Sequence, residues 1–144
     1  ITVHEFVAQA WRGDEVEVTV RCSGGTYIRA LARDLGRAAG SAAHLTALRR
    51  LTSGPFTVVE ACSANALKAG AAVVLPPLAA VPSLPVVRVD GDSVRHVRQG
   101  RDVGDGGLFP GAPVAALVDE TGTLLAIAQR NGDWWHPRTV LGDA

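Results

Sequence analysis

The chain has 144 residues, enough for one domain or two small ones, and its 47% apolar and 19% charged residues are typical of a globular rather than a disordered protein. Its 14 basic and 14 acidic residues balance, so the chain as a whole carries no excess charge. It has no apolar run near the ~20 residues of a membrane-spanning helix and no signal-peptide pattern, so no membrane partner is expected.

The first clear element is a strand over residues 15–21, in which three valines alternate with polar side chains. This period of two predicts a half-buried antiparallel strand. Gly13-Asp14 before it predicts a hairpin turn, which joins it to a weaker strand over residues 2–8. Cys22 ends the strand. It and Cys62 belong to no C-x-x-C pair, so we expect both to be buried free thiols in a reducing cytoplasm, which predicts a cytoplasmic protein.

A helix is expected after the glycine pair Gly24–Gly25. From Ile28 to Ala39 apolar residues recur at intervals of three and four, which predicts an amphipathic helix that ends at Gly40. Residues 21–50 contain six arginines against one acid, Asp34, so positive charge is concentrated here. Three of these arginines form a basic stripe at intervals of four along the helix: Arg29, Arg33 and Arg37.

Arg29 is the arginine whose position most favours a bound anion. It lies in the first turn, where the positive end of the helix dipole disfavours a cation unless a carboxylate or phosphate is near. Tyr27 lies beside it at the glycine corner, and an aromatic residue in a concentrated positive field is typical of an RNA site. A solvated arginine face on an ordinary helix, or on an unrelated α+β protein, fits the charge equally well.

The middle of the chain is predicted to be short elements. Residues 44–50 read as a second helix with its two leucines inward, and residues 51–61 as a turn and a strand. Ser63 is expected to cap a short helix over residues 63–69. Four of the eight prolines lie between Pro76 and Pro85, which indicates a linker or a domain boundary.

After Pro85 we predict a small β-barrel or open roll, because several short strands and one helix share about sixty residues. A helix should follow Asp90 or Asp92 and end at Gly100. Trp134 and Trp135 are adjacent, so in a strand they face opposite ways; one fills the core, and the other covers it or offers a stacking surface. The predicted strands are 86–89, 114–118, 124–128 and 134–141.

Two motifs carry a resemblance to a known family. CSGGTYIRALARDLG begins at Cys22, and AAHLTALRRLTSGPF ends at Phe56. In this order and separation they resemble the carboxyl-terminal part of the bacterial tRNA pseudouridine synthase B family, which makes the T-loop pseudouridine at uridine 55. The residues after Pro85 are similar, more weakly, to the small PUA-type domain of such synthases.

The resemblance implies an α+β fold. Residues 1–76 would be the end of a catalytic domain with a mixed or antiparallel sheet, residues 77–85 a Pro-rich linker, and residues 86–144 a PUA-like β-barrel that binds RNA. It implies an isomerase without cofactor or metal, acting on a base that leaves the stack. The partner would be tRNA, at its T-loop and T-stem, and the chain would be a monomer or pair with a missing amino-terminal half.

The resemblance also assigns roles to single residues. In the family a tyrosine matching Tyr27 packs against the target base and is implicated in removal of the C5 proton, and an arginine matching Arg29 pairs with the catalytic carboxylate. A leucine matching Leu48 lines the base pocket, although Leu48 fits a helix core equally well. The remaining candidate substrate-binding residues lie along the RNA track or pair with local acids: Arg33, Arg49 and Arg50.

The sequence departs from the family pattern in three places. Gly24 stands where many relatives have lysine and Ala42 where many have glycine, and we expect both to be tolerated. The catalytic aspartate motif of the family does not occur in this sequence, and Asp34 should be structural or ion-pairing. We therefore expect the later half of a processed, split or truncated enzyme, inactive by itself; the alternative is a non-catalytic RNA-binding module.

Overall fold

A computed structural model describes residues 1–104 and 107–142 of the chain. The chain forms two compact units, Ile1–Arg49 and Arg50–Ala144. The domain limits drawn from the sequence, at residues 76 and 86, stay a prediction, and residues 105–106 and 143–144 of the last domain lie outside the described residues. No helix in the described part is long and apolar enough to cross a bilayer.

The first unit opens with an antiparallel hairpin of β1 (Val3–Arg12) and β2 (Glu15–Cys22). Its two-residue turn has Gly13 at φ 64°, a conformation that only glycine adopts without strain, so the predicted turn is confirmed. The valines of β2 are half-buried, as their alternation predicted. Strand β1 is longer than predicted because a register shift between Ala8 and Ala10 interrupts the period of two there.

Helix α1 spans Ile28–Ala38 and follows β2 through a fixed corner. The Thr26 hydroxyl donates to the Ser23 carbonyl at 2.9 Å, and the Ser23 N–H donates to the Thr2 carbonyl at 2.8 Å. The helix ends as predicted at Gly40 (φ 69°), whose N–H donates to the Arg37 carbonyl at 3.1 Å. Hydrogen bonds therefore fix the corner and the carboxyl-terminal end of the helix.

Gly36, the buried residue of α1, lets the following chain fold back onto the helix. A Cβ added at Gly36 would lie 2.6 Å from the carbonyl carbon of Ala42 and would also meet the backbone of Ala43. The second helix predicted over residues 44–50 is wrong, because this stretch has no regular secondary structure. The backbone of residues 42–43, just before this stretch, lies against α1. From His44 onward the chain continues as an irregular segment at the surface.

The second unit begins with exposed, short elements. A hairpin of β3 (Thr52–Ser53) and β4 (Phe56–Thr57) precedes α2 (Ala64–Lys68). The Ser63 hydroxyl accepts the Ala66 N–H at 3.1 Å, so the predicted cap is confirmed. Both cysteines are free, but the prediction that both are buried is wrong, because Cys62 lies in the exposed loop before α2 while Cys22 is partly buried.

A five-stranded mixed sheet forms most of the second unit, in the order β5-β7-β8-β9-β6. Strand β5 runs parallel to β7, and the other pairs are antiparallel. The predicted strands are confirmed; β6 was not predicted, because two residues within a glycine-rich stretch carry no periodicity. The strands are β5 (Val86–Arg88), β6 (Val103–Gly104), β7 (Val114–Val118), β8 (Leu124–Asn131) and β9 (Trp134–Val140).

The sheet packs on both faces. Helix α3 (Gly91–Arg98) contributes Val97 to the main core, where Trp135 and Leu117 are fully buried. The Pro-rich segment, which includes a 3-10 helix over Pro77–Ala80, packs on the opposite face of β7 and β8. That segment therefore contributes to the core of this unit. Its packing residues are Leu78, Val81 and Leu84.

Asp90 caps α3 and should make the stability of the second unit depend on pH. Its carboxylate accepts the Ser93 N–H at 2.8 Å, and this hydrogen bond holds the pKa of Asp90 below its ordinary value. A carboxyl group whose pKa is lower in the folded state than in the unfolded state stabilises the fold when it is ionised. This contribution is fully present above the unfolded-state pKa of about 4, and it is lost as the pH falls through the lower folded-state pKa. We expect the urea midpoint to fall on acidification more steeply in the wild type than in Asp90→Asn, which can cap but cannot ionise. Identical pH profiles of the two proteins would contradict this.

Candidate functional site

Tyr27 opens helix α1 with its backbone and leaves its ring at the surface. It is the N-cap residue, with an extended backbone (φ −86°, ψ 104°), and its carbonyl accepts the N–H of Ala30 at 2.9 Å and that of Leu31 at 3.2 Å. The residue is 72% exposed, and its hydroxyl has no hydrogen-bond partner among the described residues. Because the backbone makes the capping contacts, the phenol is available to a ligand.

Arg29 is the second residue of α1 and is exposed. The first turn of the helix contains no acidic residue, and Arg29 has no ion-pair partner within residues 1–104 and 107–142. A guanidinium at the positive end of a helix dipole is poorly placed without an anion. Among the described residues, no acid therefore balances the charge of Arg29.

Asp34 partly neutralises the rest of the basic stripe. Its Oδ1 lies 2.8 Å from Nε of Arg33 and 3.8 Å from Nη1 of Arg37. The hydrogen bond from Arg33 holds the pKa of Asp34 below its ordinary value. Asp34 is thus an ion-pairing residue, as predicted, and Arg29 is the member of the stripe that it leaves unpaired.

The residues that follow the helix bring further candidates to the first unit. Leu48 is 62% exposed and lies outside any helix, so it is not the helix-core residue that one interpretation of the sequence allowed. Arg49 is exposed, with no ion pair inside the described ranges. Arg50, also exposed, is the first residue of the second unit. Tyr27 and Arg29 thus lie two residues apart at the start of α1, and the other candidates lie on the same unit or, for Arg50, at the start of the second unit.

Gly36 explains how the segment after α1 is positioned, and sequence analysis missed it. Gly36 follows Arg29 by seven positions, nearly two full turns, so the two lie on the same side of α1 about 10 Å apart along the axis. Since the backbone of Ala42 and Ala43 lies against Gly36, the segment crosses the side of the helix that carries Arg29. A glycine inside an amphipathic helix lowers helix stability by about 1 kcal/mol relative to alanine. Its presence there was therefore the sequence signal for a close backbone contact.

The corner offers two kinds of recognition at once. An exposed phenol provides a flat ring for a base and a hydroxyl for hydrogen bonding or proton transfer. The guanidinium of Arg29 provides a fork of donors suited to a carboxylate or a phosphate. The nearest acid along the helix, Asp34, is already bonded to Arg33, so an anion for Arg29 has to come from elsewhere.

Comparison with known sequences points to one family. The family model described as the tRNA pseudouridylate synthase B C-terminal domain matches residues 29–74. The tRNA pseudouridine synthase B of Arthrobacter sp. (strain FB24) is 37% identical over 98% of this chain and 50% of its own length. That of Cutibacterium acnes is 42% identical over 88% of this chain and 44% of its own length. The chain therefore spans about half the length of the curated relatives it matches.

Solved structures share the fold at lower identity. A chain in a structure of an H/ACA ribonucleoprotein bound to a substrate RNA containing 2'-deoxyuridine matches 98% of this chain and 54% of its own, with a TM-score of 0.73 and 23% identity. A chain of the archaeal box H/ACA Nop10-Cbf5 complex gives a TM-score of 0.71, also at 23% identity, over 96% of this chain and 54% of its own. The predicted α+β class, a mixed or antiparallel sheet domain followed by a small PUA-like barrel, is confirmed.

Proposed function

The chain belongs to the tRNA pseudouridine synthase B family, and on this basis we propose that it supplies the Tyr27–Arg29 half of the active site of an enzyme that converts uridine 55 in the T-loop of tRNA to pseudouridine. The observation that carries the proposal is an exposed phenol at the start of α1, two residues before an arginine that has no anion among the described residues, on a corner fixed by hydrogen bonds. The catalytic aspartate is supplied by residues outside this sequence, so the 144-residue chain is inactive by itself.

The reaction defines what each side chain does. The bond between N1 of the uracil and C1' of the ribose breaks, C5 bonds to C1' instead, C5 loses its proton and N1 gains one. Arg29 holds the aspartate in place through charge-assisted hydrogen bonds. Tyr27 packs its ring against the base after the base has left the stack, and its hydroxyl takes part in removal of the C5 proton.

The other candidates bind the RNA around this centre. Leu48 lines the pocket that receives the uracil ring, which its exposure allows. Arg49 and Arg50, both exposed, contact backbone phosphates, and Arg33 adds positive charge along the same track. The PUA-like domain adds further RNA-binding surface, and the chain acts as a monomer or together with the missing amino-terminal half.

Incubation of the full-length protein with a T-loop minihelix RNA tests the proposal. We expect pseudouridine at the T-loop uridine, detected by mass spectrometry of the digested RNA, and none when the 144-residue chain is used alone. A full-length protein that binds the minihelix and forms no pseudouridine would refute the catalytic assignment.

The second candidate function is a non-catalytic RNA-binding module, favoured by the exposed arginines and by the lack of the aspartate motif. We expect the 144-residue chain to bind tRNA with an affinity that falls as salt rises, by about 0.7 to 0.9 log units per phosphate contact per decade of salt. Replacing Arg49 by glutamine should reduce the slope by about one. Lys68→Gln, a charge removed from the last turn of α2, serves as the control and should leave the slope unchanged. Binding that does not respond to salt would exclude this function.

A further inference from the structure

Ser23 ties the corner before α1 to the start of the first strand. Its hydroxyl accepts the N–H of Thr2 at 2.9 Å, and its own N–H donates to the Thr2 carbonyl at 2.8 Å. Its carbonyl accepts the Thr26 hydroxyl at 2.9 Å. Ser23 therefore uses its side chain and both of its backbone polar groups to join the residue before β1 to the residue before Tyr27.

The two residues between Ser23 and Thr26 cannot hold the corner by packing. Gly24 and Gly25 are exposed, and a Cβ at either position would meet nothing within 4 Å. Because glycine adopts many backbone conformations, a glycine pair bends easily unless another contact spans it. The Thr26 hydroxyl spans this pair, and its hydrogen bond to Ser23 is partly shielded from water because both residues are half-buried.

Tyr27 depends on this corner for the direction in which its ring leaves the backbone. The ring is 72% exposed, so packing does little to hold it. The Tyr27 carbonyl accepts the N–H groups of Ala30 and Leu31 in the first turn of α1, and these bonds fix the side of Tyr27 that faces the helix. On the other side, the contact that fixes its backbone is the bond of Thr26 to Ser23.

We propose that Thr26 is a positioning residue for Tyr27: its hydroxyl, bonded across the glycine pair, sets the place of the phenol against the uracil ring. The inference rests on the proposed function, which assigns Tyr27 to the reaction. A displacement of about 1 Å in an active site can lower the rate about 10²-fold. Loss of the Thr26 bond leaves the ring and hydroxyl of Tyr27 in the protein, so it should lower the rate much more than the affinity for RNA.

Thr26→Val in the full-length protein tests this role, because valine keeps the branched shape and removes the donor. The single-turnover rate with a T-loop minihelix should fall about 5- to 100-fold, with the affinity nearly unchanged. Thr26→Ser, which keeps the hydroxyl, should retain most of the rate. Ser63→Ala is the matched control, because it also removes a hydroxyl bonded to backbone at a helix start, and it should keep the wild-type rate. All rates are measured well below the melting temperature of every variant, so that a loss of stability alone does not change them.

A double-mutant cycle separates a role through Tyr27 from any other role of Thr26. If Thr26 acts by placing the phenol, Thr26→Val should lower the rate much less when Tyr27 is already phenylalanine. Losses that multiply in full would overturn the inference, as would a wild-type rate in Thr26→Val. If Thr26→Val does not fold, Ser23→Ala takes its place in the cycle, because it removes the acceptor of the Thr2 N–H and loosens the same corner. A wild-type rate in Ser23→Ala would then overturn the inference.

Hydrogen exchange of the same proteins, followed by mass spectrometry, gives a readout that does not depend on catalysis. The amides of Ala30 and Leu31, which donate to the Tyr27 carbonyl, should exchange faster in Thr26→Val than in the wild type and Ser63→Ala. Unchanged exchange in Thr26→Val would overturn the inference, whatever the rates. Faster exchange in a protein whose wild type forms no pseudouridine would remove the catalytic assignment and keep the structural contact of Thr26 with the start of α1.

Discussion

Tyr27→Phe in the full-length protein is expected to lower the rate of pseudouridine formation by about 10²- to 10⁴-fold, the usual contribution of a positioned acid or base. Affinity for tRNA should stay nearly unchanged, because phenylalanine keeps the ring that packs against the base. The fold should also be unaffected, since the Tyr27 backbone caps α1 and its hydroxyl bonds to no other described residue.

Single-turnover formation of pseudouridine and filter binding of the same minihelix measure the two effects separately. Trp11→Phe makes a comparable change at an exposed aromatic residue on β1 and should alter neither quantity. An equal loss of rate and affinity in Tyr27→Phe would argue against a chemical role for the hydroxyl. It would assign Tyr27 to binding alone.

Gly36→Ala should cause a large loss of stability, although helix propensity predicts the opposite. Alanine is favoured over glycine inside a helix by about 1 kcal/mol. The added methyl, however, would lie 2.6 Å from the Ala42 carbonyl carbon and would also meet the Ala43 backbone, and backbone cannot rotate away as a flexible side chain can. Overpacking costs about 1–3 kcal/mol, and more where backbone has to move, so we expect a net loss of roughly 2 kcal/mol.

Urea denaturation of the 144-residue chain measures this loss. Gly24→Ala is the control, because a Cβ at Gly24 meets nothing within 4 Å, and its midpoint should stay close to that of the wild type. The same open space agrees with the expectation that glycine in place of lysine is tolerated there, because a side chain at this position would contact no other residue. If Gly36→Ala proved as stable as the wild type, the segment after α1 would not lie against the helix, and Leu48 would not be held where the proposal needs it.

Much of the fold could be predicted because its determinants are local. The alternating valines of β2, the Ser63 and Asp90 caps and the Gly40 stop each act within a few residues, and each is confirmed. The helix predicted over residues 44–50 is wrong because the spacing of its leucines fits a helix, whereas the chain just before it, at residues 42–43, packs its backbone against Gly36 and continues without regular secondary structure. Periodicity carries no information about such a contact.

The candidate site divides in the same way. Tyr27 and Arg29 could be located from a glycine pair and a helix start. Asp34 was expected to be structural or ion-pairing, but its two partners, Arg33 and Arg37, could not be predicted because they depend on side-chain conformation. That Trp134 and Trp135 face opposite ways followed from the strand period. Which of them is buried depends on the side of the sheet on which α3 packs, and this is fixed only by tertiary structure.

Arg130, a residue of β8, affects how the surface of this protein can change in evolution. In the loop of residues 107–113 it contacts main-chain oxygens, which every amino acid provides. Mutation can therefore exchange the side chains of Leu108 and Phe109 without removing the bonds that shape the loop. New side chains, with new binding preferences, can therefore evolve at the tip of the loop while its backbone conformation is kept.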